Sequence, residues 1–325
     1  MPRNPITFEQ VLAARERLRA HLTETPARRY PLLDALVGHD VRVVVKHENH
    51  LPIQSFKVRN ATSAMTALDA AARARGVIAA STGNHGQGLA WAGARLGVPV
   101  TIVVPEGNNP DKGAAIRAMG ATLIETGATY DAAAAACATL AEERGMTLVH
   151  STNNADVVAG AATITLEFLE QVPELDTIIL ALGGGSQTVG AIVVRDAVKP
   201  SLRVIGAQSE GAKAQYESWR ERQRLTGRPV RTIAEDVATG RAYELTFDAL
   251  VDGMNDCLLV SDAEIADAIR EMIRCTKNLP EAAGAIGLAT VRRYAERFAG
   301  QTVGIVLCGG NLDGEMLRRV MNREL

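Results

Sequence analysis

The 325-residue sequence predicts an α/β protein with two doubly wound, mostly parallel sheets, one in a large domain and one in a small domain. Three observations predict it. Apolar runs of strand length alternate with helical patterns along almost the whole chain. The strand-like runs are apolar throughout rather than alternating, as in parallel sheets covered on both faces. Three of them end in glycine-rich turns, and open α/β sheets bind ligands at the carboxyl ends of their strands.

The elements follow in order. An amphipathic helix spans 7–22, with Thr7 placed to cap it. Strands are expected at 41–46, 77–80, 100–104, 122–125, 148–150, 177–182, 203–207 and 303–307. Helical patterns cover 61–74, 87–96, 112–119, 130–144, 157–171, 188–198, 262–276 and 285–298. Usual domain sizes then give a small domain over 51–152, inserted in a large domain of 1–50 plus 153–325. The charged, irregular segment 215–243 interrupts the alternation and reads as an excursion over the surface or over the mouth of a site.

Composition excludes several classes. Hydrophobic residues make up 47% and charged residues 22%, an ordinary globular balance for a chain long enough to bury a large core. A formal net charge of −2 with no block of Lys and Arg offers no electrostatic footing for nucleic acid or a membrane surface. No apolar run approaches a membrane span, and the first 22 residues lack the apolar core of a signal peptide. Four cysteines (Cys137, Cys257, Cys275, Cys308) without CxxC spacing argue for a reducing, cytoplasmic setting with neither disulfides nor zinc.

The first turn is Ser81-Thr82-Gly83-Asn84-His85-Gly86-Gln87-Gly88. Its glycines let backbone approach a ligand, and the helix it opens offers free N–H groups to an anion. On its own it reads equally as a polar helix cap. The second, Gly183-Gly184-Gly185-Ser186-Gln187-Thr188, follows the most apolar strand and has the form of a phosphate cradle. It lacks the lysine of a nucleotide P-loop, the spacing of GxGxxG and the second glycine of a GxSxG elbow, so nucleoside triphosphatase, dinucleotide and serine-hydrolase readings fail. The third is Cys308-Gly309-Gly310-Asn311; a buried strand-end thiol by itself is structural. His47 and His50 flank Glu48 with no third partner, so they read as solvated loop histidines and no metal site is expected. Lys57 is unusual, because a helix N-terminus disfavours a cation. Taken alone it is a surface lysine; the alternative is a lysine kept uncharged or covalently engaged.

Six stretches occurring together decide between these readings. They are KHEN (46–49), SFKVRNA (55–61), STGNHGQG (81–88), GGGSQ (183–187), PEAAGA (280–285) and CGGN (308–311). In this order, over nearly the whole chain, they resemble the pyridoxal-phosphate enzymes of the serine/threonine dehydratase type, the fold type II or tryptophan-synthase β-like family. The resemblance implies pyridoxal 5'-phosphate as cofactor, bound to Lys57 as a Schiff base. It implies a phosphate site at Gly183, Gly184, Gly185, Ser186 and Gln187, with Phe56 beside the ring, Asn84 on its hydroxyl and Cys308 facing its nitrogen. Ser81, Thr82, Gly83 and His85 would surround the substrate carboxylate, and the assembly would be a homodimer.

A thiol need not protonate the ring, which makes it a weaker electron sink and favours prompt loss of a β-hydroxyl. The expected reaction is therefore dehydration and deamination of a β-hydroxy-α-amino acid to a 2-oxo acid and ammonia. L-Threonine and L-serine are the default substrates, with phenylserine or hydroxyaspartate as alternatives. A racemase or a non-catalytic binding protein ranks lower, because Lys57 and the cradle are both present.

The sequence departs from the family pattern at Ile53-Gln54, where Thr-Gly is common, at Asn60, where glycine is usual, and at Ser186. Gln208 and Ala214 stand where related racemases place acids for a divalent cation, so no such cation is expected. The sequence runs only a short way past CGGN, so a C-terminal regulatory domain is not expected. An acidic substrate would want an added cation, for which Lys213 and Arg241 are the candidates; an aryl substrate needs only room, which Gln54 and 215–243 would shape.

Overall fold

The computed structural model describes residues 4–325. Its strands are β1 (Ala27–Arg29), β2 (Arg42–His47), β3 (Val77–Ala80), β4 (Val100–Val104) and β5 (Thr122–Glu125), followed by β6 (Thr147–Leu148), β7 (Thr177–Ala181), β8 (Arg203–Ser209), β9 (Asp256–Val260) and β10 (Thr302–Leu307). The first seven helices are α1 (Phe8–Arg19), α2 (Pro31–Val37), α3 (Lys57–Ala67), α4 (Ala70–Arg75), α5 (Asn84–Leu96), α6 (Pro110–Ala118) and α7 (Tyr130–Arg144). Then come α8 (Ala155–Gln171), α9 (Ser186–Val198), α10 (Ala214–Glu221), α11 (Glu244–Gly253), α12 (Asp262–Thr276), α13 (Ala282–Arg293) and α14 (Gly314–Met321).

Two sheets form. One is six-stranded in the order β1-β2-β10-β7-β8-β9, and only its β1–β2 edge is antiparallel. The other, β5-β4-β3-β6, is wholly parallel. Every residue of β4 and β7 is buried, as continuously apolar central strands require. The main core surrounds the six-stranded sheet, and α9 and α13 pack against its strands. The smaller sheet separates two further cores, one around Met65, Leu89 and Ile102, the other around Ile78, Val103 and Cys137. Among the described residues no helix is long and apolar enough to cross a membrane.

Helix α3 is held between α5 and α8 at two glycines. A Cβ on Gly88 would lie 2.8 Å from the Lys57 carbonyl oxygen, and one on Gly160 would lie 2.6 Å from that of Arg59. Both neighbours are backbone, so neither contact yields by a rotamer change. The start of α3, where Lys57 sits, is thereby fixed from both sides.

Several elements differ from the sequence expectation. The single helix over 61–74 is two: α3 begins earlier, at Lys57, and α4 restarts after Asp69, whose Oδ1 accepts the Ala72 N–H at 2.7 Å. Strands β1 and β9 and helices α2, α10, α11 and α14 were not expected; β1 has three residues and α2 seven, too short to display a period. His47 is no solvated loop residue. It ends β2, is fully buried and bonds Tyr30 Oη through Nε2 at 2.8 Å, and burial lowers its pKa to about 4.

Candidate active site

The turns after β3, β7 and β10 meet at one cavity. Phe56, Lys57, Asn84, Gly183, Gly184, Gly185, Ser186, Gln187 and Cys308 all line it. The segment before α3 is pinned to the end of β10: Phe56 N–H donates to the Cys308 carbonyl at 3.0 Å, and Gly310 N–H to that of Gln54 at 2.8 Å. Lys57 is the first residue of α3, and its Nζ lies 5.0 Å from the Phe56 ring centroid. The residue keeps some exposure because it borders the cavity, but its ammonium lies deep. Burial lowers its pKa, against the opposing pull of Asp236, Cys308 and Glu281. A lysine so placed carries a larger fraction of free amine than one on the surface.

The second turn presents amides because its carbonyls are engaged elsewhere. Gly183 O accepts from Gln215 Nε2 at 3.0 Å, and Gly184 O accepts from Thr246 Oγ1 at 2.7 Å. Gly185 has φ +95° and opens α9. Beside it Gln187 Oε1 and Thr188 Oγ1 are buried without a protein partner. Free amides at a helix N-terminus with an unpartnered hydroxyl form the donor set a phosphate monoester takes, so pyridoxal phosphate fits this cradle. A Cβ on Gly184 would collide with Thr152 Oγ1. Overpacking of this kind costs about 1–3 kcal/mol. Gly184→Ala is therefore expected to weaken cofactor binding by about 10–100-fold, read by titrating the apo-protein and following absorbance; unchanged affinity would remove the cradle assignment.

In the first turn Ser81 Oγ accepts the Gly86 N–H at 2.9 Å, which caps α5. Thr82 and Gly83 complete the bend. The His85 side chain turns away from the cavity and donates through Nε2 to the Val149 carbonyl at 2.9 Å, leaving Nδ1 buried without a partner. Burial, with Lys57 nearby, brings its pKa to about 3, so it is neutral. Asn84 gives both amide hydrogens to carboxylates, 3.2 Å to Asp236 and 2.9–3.1 Å to Glu281, and its Oδ1 accepts from Asn311 Nδ2 at 2.6 Å. In this arrangement its hydrogens are spent on protein.

Sequence reasoning missed Asp236 and Glu281, both of which line the cavity. Glu281 lies inside PEAAGA, and Asp236 inside the irregular 215–243 segment, so the signal was position beside a motif rather than any local pattern. Cys308 Sγ is buried at the end of β10, and burial, then Glu281 and Asp236, push its pKa well up, keeping it a thiol.

A second cavity, of about 550 Å³, reaches Ala80 and Val149 beside the first turn. Tyr130, Leu148, His150, Val230 and Tyr243 wall it, and Cys137 closes one side. His150 and Tyr243 meet edge to face at 5.8 Å. The arginines on this wall are paired: Arg241 with Asp131 at 2.9 Å, Arg228 with Glu217 at 3.2 Å. Lys213 does not line either cavity and lies 3.7 Å from Glu217. The 215–243 segment thus continues α10 to Glu221 and then covers the site, tied back by Arg241–Asp131 and by Lys112–Glu235 at 3.0 Å.

Comparison with known proteins follows the same lines. Residues 18–309 match the family described as pyridoxal-phosphate dependent enzyme. The chain is 34% identical to the L-threonine ammonia-lyase of Thermotoga maritima over 98% of its own length and 79% of that protein's. It is 36% identical to the L-threo-3-hydroxyaspartate ammonia-lyase of a Pseudomonas species over 95% of this chain and 96% of the other. Among solved structures, maize serine racemase superposes with a TM-score of 0.92 at 29% identity, covering 98% of both chains.

Proposed function

Since this chain belongs to the family of pyridoxal-phosphate-dependent enzymes, we propose that it is an ammonia-lyase acting on a β-hydroxy-α-amino acid, with L-threonine and L-serine as the default substrates and hydroxyaspartate or phenylserine as alternatives. The carrying observation is that Lys57, the Gly183–Gln187 cradle and Cys308 line one cavity. Relatives named for threonine and for hydroxyaspartate match at 34% and 36%, too close to rank those side chains.

In this reading the small unit, residues 51–152, supplies Lys57 and the first turn, while the large unit supplies the cradle and Cys308. Pyridoxal phosphate, when bound, supplies the electron sink that acidifies the substrate α-carbon. Lys57 would hold the cofactor through its amine and, as a free amine, would take the substrate α-proton. The backbone amides of Ser81–Gly83 orient the substrate carboxylate. The Cys308 thiol, kept protonated by burial, would face the cofactor ring as a weak acid, which suits a reaction in which electrons leave at once through the β-carbon.

The test is 2-oxo acid release from L-threonine, L-threo-phenylserine and L-threo-3-hydroxyaspartate with saturating cofactor. L-Threonine is expected to be turned over at least as well as the other two. A lead of about 10–200-fold in kcat/KM for phenylserine or hydroxyaspartate overturns the default side-chain assignment and leaves the ammonia-lyase reading standing.

A further inference from the structure

The three cradle glycines face different neighbours. A Cβ on Gly183 would lie 3.0 Å from the Val237 Cα, and one on Gly185 2.8 Å from Leu250 Cδ1. One on Gly184 would meet the Oγ1, Cγ2 and Cβ of Thr152 together, so that side chain lies flat against the middle of the cradle. Three polar side chains border the turn. Gln215 and Thr246 donate to the carbonyls of Gly183 and Gly184. Thr152 differs from them. It is 4% exposed and lines the cavity, and among the described residues its hydroxyl has no hydrogen-bond partner. A buried hydroxyl without a protein partner costs free energy unless a ligand or water takes its bond. The backbone holds this one in place. Thr152 N–H donates to His150 Nδ1 at 2.9 Å, as does Asn153 N–H, and the Thr152 carbonyl accepts from Asn154 N–H at 2.8 Å. Asn154 Oδ1 then caps α8 by accepting the Val157 N–H at 3.0 Å. The turn between β6 and α8 is pinned along its length, and a β-branched side chain on it has few rotamers.

We propose that Thr152 is a further cofactor-binding residue, its hydroxyl donating to the phosphate of pyridoxal phosphate from a segment separate from the Gly183–Gln187 turn. The inference rests on the cofactor assignment above and goes beyond it. The charge balance of the cavity calls for such a donor. Among the described residues that line it, Lys57 is the sole cation, and its amine is reserved for the covalent link. A phosphate monoester carries about −1.5 to −2 charge near neutral pH. Here it has to be held by backbone amides, the N-terminal end of α9 and hydroxyls, without an arginine or a second lysine. A hydroxyl already fixed toward the cradle loses little freedom on engaging it. The assignment also ties the two sheets together through the cofactor. The cradle follows β7 of the six-stranded sheet, whereas Thr152 follows β6 of the four-stranded one.

The experiment titrates the full-length chain, freed of cofactor, with pyridoxal phosphate and separately with pyridoxal, following the visible absorbance. Thr152→Val keeps the shape of the side chain and removes the hydroxyl; Thr152→Ser keeps the hydroxyl. Thr152→Val is expected to weaken binding of pyridoxal phosphate by about 10- to 100-fold, the worth of one hydrogen bond to a charged acceptor. Thr152→Ser is expected to bind it much as wild type does. Pyridoxal, which lacks the phosphate, should bind wild type and both variants alike. Wild-type affinity for pyridoxal phosphate in Thr152→Val overturns the proposal. Equal losses in the two variants assign the effect to packing against Gly184 and overturn it as well. So does an equal loss for pyridoxal, which would place the hydroxyl on another part of the cofactor. A wild-type chain that takes up neither compound overturns the cofactor assignment itself, and this proposal with it.

Discussion

Lys57→Ala is expected to give a colourless protein whose turnover falls by at least about 10,000-fold, the upper end of what loss of a single proton-transfer group usually costs, because the covalent anchor is lost as well. One side chain does two things in the proposed cycle. Its amine would hold the cofactor covalently and, when free, would be the base at the α-carbon. Nothing else in the cavity replaces it. Asp236 and Glu281 are held toward their protonated forms, Cys308 remains a thiol and His85 Nε2 is bound to a backbone carbonyl. Lysine at this place is prepared by its surroundings, since burial draws its pKa down and the Gly88 and Gly160 contacts fix the first turn of α3. The checks are the visible absorbance of purified variant and wild type, its loss on borohydride treatment in wild type alone, and 2-oxo acid release. A yellow, active variant would remove Lys57 from both roles.

The residues legible in the sequence share one property: their function is local. The Gly183–Gly185 cradle is built from consecutive backbone amides, so its form is written in consecutive letters. Lys57 stood out because a cation at a helix start contradicts the helix dipole. The apolar runs of β4 and β7 announced parallel strands because both faces are covered. What stayed hidden depends on distant partners. Asn84 meets Asp236 across 152 residues and Glu281 across 197, and neither carboxylate belongs to a pattern of its own. His47 looked like a loop histidine because its partner Tyr30 lies 17 residues away, just after β1. The second cavity is still less readable. Its wall comes from β6, α7 and the covering segment, three stretches with no common period.

Arg59→Met is the substitution expected to cost most stability, about 3–5 kcal/mol. Arg59 is 2% exposed and lies two residues beyond Lys57 on α3. Its guanidinium makes a paired contact with each of two carboxylates: Nε to Glu48 at 2.7 Å and Nη2 at 3.1 Å, Nη1 to Glu167 at 2.5 Å and Nη2 at 2.8 Å. Lys46, fully buried on β2, adds 3.0 Å to Glu167 and 2.6 Å to the Thr25 carbonyl. Two cations thus balance two anions in a space without solvent, joining β2, α3 and α8. Burial works against the charge on Arg59, but Glu48 and Glu167 outweigh it. Burial likewise disfavours ionised Glu167, yet Arg59 and Lys46 hold its pKa below the ordinary carboxylate value. Methionine restores the volume but leaves Glu48 and Glu167 sharing one lysine. The pH dependence separates this cause from simple mispacking. In wild type Glu167 has a depressed folded pKa, so its contribution is present above the ordinary carboxylate pKa and lost as pH falls through the depressed value. In the variant the unpaired carboxylate has a raised folded pKa, so its penalty is largest at neutral pH and relieved in acid. Denaturant midpoints measured from pH 7 down to pH 4 should therefore converge, and adding Glu48→Gln to the variant should recover part of the loss at pH 7. A gap that stays constant with pH would assign the cost to packing, and an unchanged midpoint would mean that the charged cluster contributes nothing to holding Lys57 in place.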